Sequence, residues 1–133
     1  MQTSRKLVSD YRETWEAVIR GTAPVGDLDR FFNVPCFMVS LDGAMTHYTS
    51  RSDVTAFNQS RLDAFRAGGV DFAALRAVDV VSQGPHVTLA IVNWELLRED
   101  GSLERAWRHY YTILEHSDAG GSTIIVSAFQ TVS

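Results

Sequence analysis

His109 is the residue with the clearest chemical potential in this sequence. An imidazole titrates near neutral pH and can exchange protons with a bound molecule. Trp107 precedes it by two residues and Tyr111 follows it by two. On a β-strand these three side chains share one face, so the sequence predicts a titratable ring in apolar surroundings. A structural core histidine and a functional pocket histidine are both consistent with this pattern.

Two tyrosines and a second histidine could act with His109. The hydroxyls of Tyr111 and Tyr11 could orient a ligand, although such tyrosines more often serve as packing residues. His47 follows a predicted turn, and a pair of His47 with His109 would suit a dehydration reaction. If the protein is an enzyme, we therefore predict His109, Tyr111 and Tyr11 as its catalytic residues.

The remaining composition argues against several other classes of site. The histidines lack the spacing and accompanying carboxylates of a metal site, and there is no glycine loop for a phosphate, so we predict neither metal nor cofactor. Cys36 is the only cysteine, and its apolar neighbours predict an inert buried thiol. The net charge is −4 and the longest basic run is Arg5-Lys6, which argues against nucleic-acid binding.

A predicted β-hairpin over residues 87–115 must position His109. Its arms are rich in β-branched and aromatic residues and flank Asp100-Gly101, a dipeptide favoured in tight turns. A two-residue loop would place Trp94 opposite Trp107, Val92 opposite His109 and Ala90 opposite Tyr111. That register makes one face apolar except for the imidazole.

The opposite face of the same hairpin is polar. It carries Asn93, Glu95 and Arg108. This cluster has one carboxylate and is predicted to face outward. We therefore interpret it as a cross-strand pair or a dimer contact rather than a catalytic site.

Three helices are predicted before most of the strands. Apolar spacing and capping residues predict helices over residues 3–20 and 52–67, with a short helix between them that opens at Gly26-Asp27 and is stopped by Pro35. Strands are predicted over residues 36–40, 44–49, 74–82 and 123–131 besides the hairpin, with a polar turn over residues 118–121. Helices followed by antiparallel strands predict an α+β fold, with residues 1–133 as a single domain.

In this order and in several local sequences, the chain resembles the nuclear-transport-factor-2-like superfamily, also called the ketosteroid-isomerase or polyketide-cyclase-like fold. The matching segments are residues 15–21, 26–28, 31–32, 50–54, 87–94, 100–101 and 124–127. The resemblance implies a cone in which a curved, mostly antiparallel sheet wraps around three helices and encloses a pocket. It also implies a homodimer formed through the outer face of the sheet.

The resemblance does not imply isomerase activity. That reaction uses a carboxylate base on the first short strand, with a tyrosine and a protonated aspartate as donors. Residues 35–41 contain no carboxylate, and Asp42 falls in a turn. The donor aspartate of the family falls near His109. Superfamily members include enzymes and non-catalytic binders, so the fold alone does not select between them.

The sequence therefore predicts binding of a small, largely apolar molecule in a hydrophobic pocket. The alternatives are a cofactor-free isomerase, cyclase or dehydratase with His109 as general acid or base, and a dimeric interaction module. The predicted ligand-binding residues are Trp15, Phe37, Val92, Trp94, Trp107, Phe129 and His47. No signal peptide or membrane-spanning run is recognisable, so we expect a cytoplasmic protein without a membrane partner.

Overall fold

The computed structural model describes residues 2–116 and 121–130. Its elements are α1 (Gln2–Ile19), a 3₁₀-helix (Val25–Phe31), β1 (Phe32–Val39), β2 (Met45–Tyr48), α2 (Arg51–Ala67), β3 (Val70–Ser82), β4 (Val87–Arg98), β5 (Leu103–Glu115) and β6 (Ser122–Gln130). The predicted turn over residues 118–121 lies, except for Gly121, outside the described residues. Neither described α-helix is long and apolar enough to cross a membrane.

The six strands form one sheet in the order β2-β1-β6-β5-β4-β3. β1 and β6 are parallel, and every other neighbouring pair is antiparallel. Two α-helices and the 3₁₀-helix accompany this sheet, which confirms the predicted α+β class with three helices.

α1 packs along the sheet because its apolar residues recur at helical spacing. Tyr11, Trp15 and Val18 are buried on this side. Two polar side chains of the same helix bind the backbone of β3. The Arg12 guanidinium donates to the carbonyl of Ala73 over 3.1 Å, and the amide of Ala73 donates to a Glu16 carboxylate oxygen over 3.1 Å. These bonds hold α1 beside the edge strand.

α2 begins where the sequence predicts a cap. The Ser50 hydroxyl accepts a hydrogen bond from the amide of Asp53 over 3.2 Å, which satisfies one of the free amides of the first turn. Leu62 and Phe65 are among the buried residues of this helix. The helix ends at Ala67 with Gly68 as its C-cap, and β3 starts at Val70 rather than at residue 74. The bulges in the β3–β4 pairing disturb the alternation on which that prediction relied.

The central hairpin has the predicted register but a different turn. Trp94 pairs with Trp107, Val92 with His109, and Ala90 with Tyr111. The turn contains three residues, not two, because Arg98 pairs through its amide with the carbonyl of Ser102. One extra residue in β5, between the partners of Leu96 and Leu97, restores the register. Both arms therefore present the expected side chains to the core.

β1 begins earlier than predicted. Pro35 was expected to precede the strand, yet it lies inside β1. It falls in the part of β1 where the register with β6 shifts, between Phe32 and Phe37. A proline lacks the amide that a regular ladder requires, and an irregularity of this kind accommodates it.

Candidate functional site

A cavity lies between α1, α2 and the inner face of the sheet. Seven of the predicted site residues contribute to its lining: Tyr11, Trp15, Trp94, Trp107, His109, Tyr111 and Phe129. They come from α1, β4, β5 and β6, which explains why they are distant in sequence. The sheet order brings β5 between β4 and β6, so the three strands form a continuous wall.

The free space in this cavity is small. The volume in which the centre of a water-sized sphere can move is about 20 Å³. One water molecule needs roughly 10–15 Å³ by the same measure. A ligand larger than a few atoms therefore requires a side chain to move. Phe57, Arg61 and Phe129 are the half-buried members of the lining, so the cavity reaches the surface beside them.

The hydrogen bonds of His109 fix its tautomer. The indole N–H of Trp107 donates to His109 Nδ1 over 3.0 Å, so Nδ1 carries no proton. The proton of the neutral ring is therefore on Nε2, which lies 2.6 Å from the Ser127 hydroxyl and donates to it. The lone pair on Nδ1 therefore accepts the bond from Trp107 and is not available to a ligand.

The surroundings of His109 also keep it neutral. Burial lowers its pKa well below the usual 6.5, and the positive charge of Arg61 lowers that pKa further. A protonated ring would direct a new Nδ1–H at the Trp107 N–H, which is a second donor. Packing and hydrogen bonding therefore favour the same uncharged form.

The two tyrosines of the cavity, Tyr11 and Tyr111, are also kept in their neutral form. The Trp94 indole donates to the Tyr111 hydroxyl oxygen over 2.9 Å. Burial raises the pKa of Tyr111 well above 10 and that of Tyr11 to about 12, where a hydrogen bond from Trp15 opposes the effect of burial. The Tyr111 hydroxyl thus accepts from an indole, and both tyrosines retain their own proton, so each hydroxyl can act as a hydrogen-bond donor.

Arg61 is a cavity residue that the sequence analysis missed. Its guanidinium carbon lies 4.1 Å from the ring centre of Phe129, 5.3 Å from that of Phe65, 5.5 Å from that of Phe57 and 6.0 Å from that of Trp107. Burial lowers its pKa to about 10. Charged residues of a helix usually face solvent, but Arg61 follows Phe57 by four residues and precedes Phe65 by four. That spacing places all three on one helix face.

Ser127 is the second functional candidate that was missed. It is 3% exposed and lines the cavity beside Phe129. The segment TIIVSAFQT contains a single serine among apolar residues. Its cross-strand position next to Tyr111 could be recognised only once β6 was paired with β5.

Three predicted ligand-binding residues do not reach this cavity. Phe37 is 37% exposed and stacks on the exposed His47 with a centroid distance of 4.6 Å. The pair occupies the face of β1 opposite Cys36 and Met38, which are buried. Val92 is fully buried in the core but does not line the cavity. The strand alternation after Pro35 is thus the reverse of the one that the prediction for Phe37 required.

Two other predicted placements are confirmed: the buried thiol of Cys36 and the cross-strand pairing on the outer face of the hairpin. The Cys36 thiol is buried, and burial raises its pKa. On the outer face of the hairpin, Arg108 donates to the Asn93 side chain over 3.2 Å. Glu95 pairs there with Arg76 over 2.6 Å. Within the described ranges, no group of three or more histidine, cysteine or acidic residues is placed to hold a metal ion.

Comparison with known proteins identifies relatives by sequence family and by fold. A family model described as "NTF2-like protein (DUF6841)" matches residues 2–131. No curated protein matches the chain.

Solved structures with the same fold are distant in sequence. An NTF2-like protein with a cystatin-like fold from Novosphingobium aromaticivorans has a TM-score of 0.71 at 15% identity, over 99% of this chain and 81% of that one. The yeast UBP3-associated protein BRE5 has a TM-score of 0.71 at 16% identity, over 98% and 95%. A ketosteroid isomerase-like protein from Erwinia carotovora atroseptica has a TM-score of 0.71 at 9% identity, over 99% and 95%. Identities this low support a common fold alone.

Proposed function

The chain belongs to the NTF2-like family DUF6841, and we propose that its cavity binds a small, largely apolar molecule. The observation that carries this proposal is the composition of the cavity wall. Aromatic rings form most of that wall, and its polar groups converge as hydrogen-bond donors. Ligand sites typically combine apolar walls with a few oriented polar groups.

The aromatic wall is suited to a planar ligand. The Trp94 and Trp107 rings are stacked with a centroid distance of 5.9 Å and an interplanar angle of 14°. On the other side of the cavity, Trp15 meets Phe65 edge to face at 5.2 Å. Flat rings that already pack against each other lose little conformational freedom when a ligand is bound.

The polar groups of the cavity favour ligand binding over proton transfer. None of the described residues that line the cavity carries a carboxylate, and the lone pair of His109 accepts the hydrogen bond from Trp107. In the alternative function, a cofactor-free isomerase, cyclase or dehydratase, His109 would act as general acid or base with Tyr111 and Tyr11. To act as a base, His109 must first lose the hydrogen bond from Trp107, because that bond uses its lone pair. To act as an acid, the neutral ring must release its Nε2 proton, and a neutral imidazole is a very weak acid.

A homodimer through the outer face of the sheet completes the proposal. Leu89, Ile91 and Tyr110 lie on that face and remain half-buried in the single chain. Together they give the face apolar area beside the polar pair of Asn93 and Arg108. An outer face of this composition suits a second copy of the chain, as in the interfaces of symmetric dimers.

Nuclear magnetic resonance of the tryptophan side chains tests the binding function. The chain has three tryptophans, and all three line the cavity, so every indole N–H signal reports on it. We expect these signals to move when single-ring aromatic compounds are added. Trp107→Ala should weaken the affinity more than His109→Ala, and His47→Ala, outside the cavity, should leave it unchanged. Indole signals that stay in place with every compound would contradict the function.

A further inference from the structure

Among the residues that the structure describes, Arg61 is a charged group without a counterion. In the described part of the chain its side chain makes neither a hydrogen bond nor an ion pair, whereas Arg12, Arg20 and Arg76 each have a carboxylate within 4.0 Å. The partners of Arg61 are aromatic ring faces. Ring faces attract a cation but accept none of its hydrogen bonds in the plane of the guanidinium. The donors of Arg61 are therefore available to a ligand.

The other polar groups of the cavity have the same character. Tyr111 and Ser127 each accept one bond, from Trp94 and His109 respectively, and each keeps a hydroxyl proton to donate. Beside them, His109 has no lone pair left to offer. A ligand that brings only acceptors complements this set, and an ionised carboxylate is the small organic group that does so with a charge opposite to that of Arg61.

We infer that the cavity recognises a small planar carboxylic acid in its ionised form, with Arg61 pairing with the carboxylate and the aromatic wall holding the apolar body. This inference rests on the proposed binding function and adds the chemical class of the ligand. A cationic ligand is disfavoured, because it would compete with Arg61 for the same rings and meet its charge at close range.

The limited space in the cavity is consistent with this role. About 20 Å³ of room does not admit a ring while the guanidinium lies 4.1 Å from Phe129. Arginine has a long side chain with several rotatable bonds, and its contacts with ring faces include no directional hydrogen bond that would hold the guanidinium in one place. Arg61 can therefore leave the rings and exchange these contacts for a two-pronged ion pair with the incoming carboxylate.

Three probes of nearly equal shape separate the possibilities. Benzoate, benzamide and benzamidinium carry charges of −1, 0 and +1 on the same ring, and the three indole N–H signals report their binding. We expect benzoate to bind at least about tenfold more tightly than benzamide, because a charge-assisted bidentate pair replaces neutral hydrogen bonds. Benzamidinium should bind most weakly.

Two substitutions on α2 assign the preference to Arg61. Arg61→Met keeps an apolar side chain of similar length and should reduce the preference for benzoate to about twofold or less. Arg51→Met removes the same charge from an exposed position at the start of the helix and should preserve the preference. Arg61→Lys, which keeps the charge but not the planar fork, should give an intermediate preference.

The outcomes distinguish this inference from the proposed function. Equal binding of benzoate and benzamide, or tightest binding of benzamidinium, would leave a small-molecule pocket but overturn recognition of a carboxylate. A preference for benzoate that survives in Arg61→Met would also overturn it, because the charge would then be recognised elsewhere. If none of the three probes moves an indole signal, the binding function itself fails.

Discussion

The free energy of unfolding should fall in mild acid, because His109 is protonated in the unfolded chain but not in the folded protein. Burial and the charge of Arg61 hold the pKa of His109 well below 6.5 in the folded state, whereas an unfolded chain protonates the ring near 6.5. Below that pH the unfolded state binds the extra proton, so the free energy of unfolding falls as the pH falls.

The size of this effect follows from the difference in proton binding. Between about pH 7.5 and 5.5, one ring that protonates only in the unfolded state costs about 1.4 kcal/mol of stability. Asp42 and Asp100 have lowered pKa values in the folded state. Their stabilising contributions are present above the unfolded value of 3.8 and are lost below it, so they do not enter this pH interval.

Urea unfolding monitored by tryptophan fluorescence at both pH values measures the change. We expect the loss of about 1.4 kcal/mol in the natural protein and its disappearance in His109→Gln, which is neutral throughout. His47→Gln alters an exposed histidine and should retain the loss, since His109 is intact. An equal pH dependence in His109→Gln and in the natural protein would refute the assignment of the effect to the neutral, buried ring.

Three further predictions concern the surface, the thiol and the turn. Arg108→Glu should shift the protein towards monomer in sedimentation velocity, because it places a negative charge on the proposed dimer face; an unchanged dimer would contradict that interface. Cys36, 1% exposed, should react with a thiol reagent only at the rate of unfolding, and rapid modification of the folded protein would show that the thiol is accessible. Gly101→Ala should lower the free energy of unfolding by about 1 kcal/mol, because Gly101 has a φ of +85° that a side chain strains; chemical denaturation measures this, and no change would argue against the turn geometry.

The sequence was most informative where pairing partners are close along the chain. The Trp94–Trp107 register was predictable from the hairpin alone, and it remained correct although the turn has three residues. The reason is physical: a one-residue slip would have turned the aromatic side chains towards solvent, and the extra residue in β5 prevents this.

Prediction failed where placement depends on distant neighbours. Phe37 was assigned to the wrong face because the parallel pairing of β1 with β6 and its irregularity have no local signal. Arg61 was overlooked because charge usually indicates solvent exposure. Its position between two phenylalanines on one helix face was the available clue, but only the opposing Phe129 and Trp107 reveal that the face is covered.

The position of β6 in the sheet has a consequence for folding during synthesis. β6 is the last described strand to be synthesised, yet it lies between β1 and β5. The β1–β2 and β3–β4–β5 pairings can form before β6 is made, but no strand joins them into one sheet until β6 arrives. Until then β5 has an unpaired edge, and Trp107 and His109 lack their contacts with Phe129 and Ser127, which makes the incomplete chain prone to aggregation.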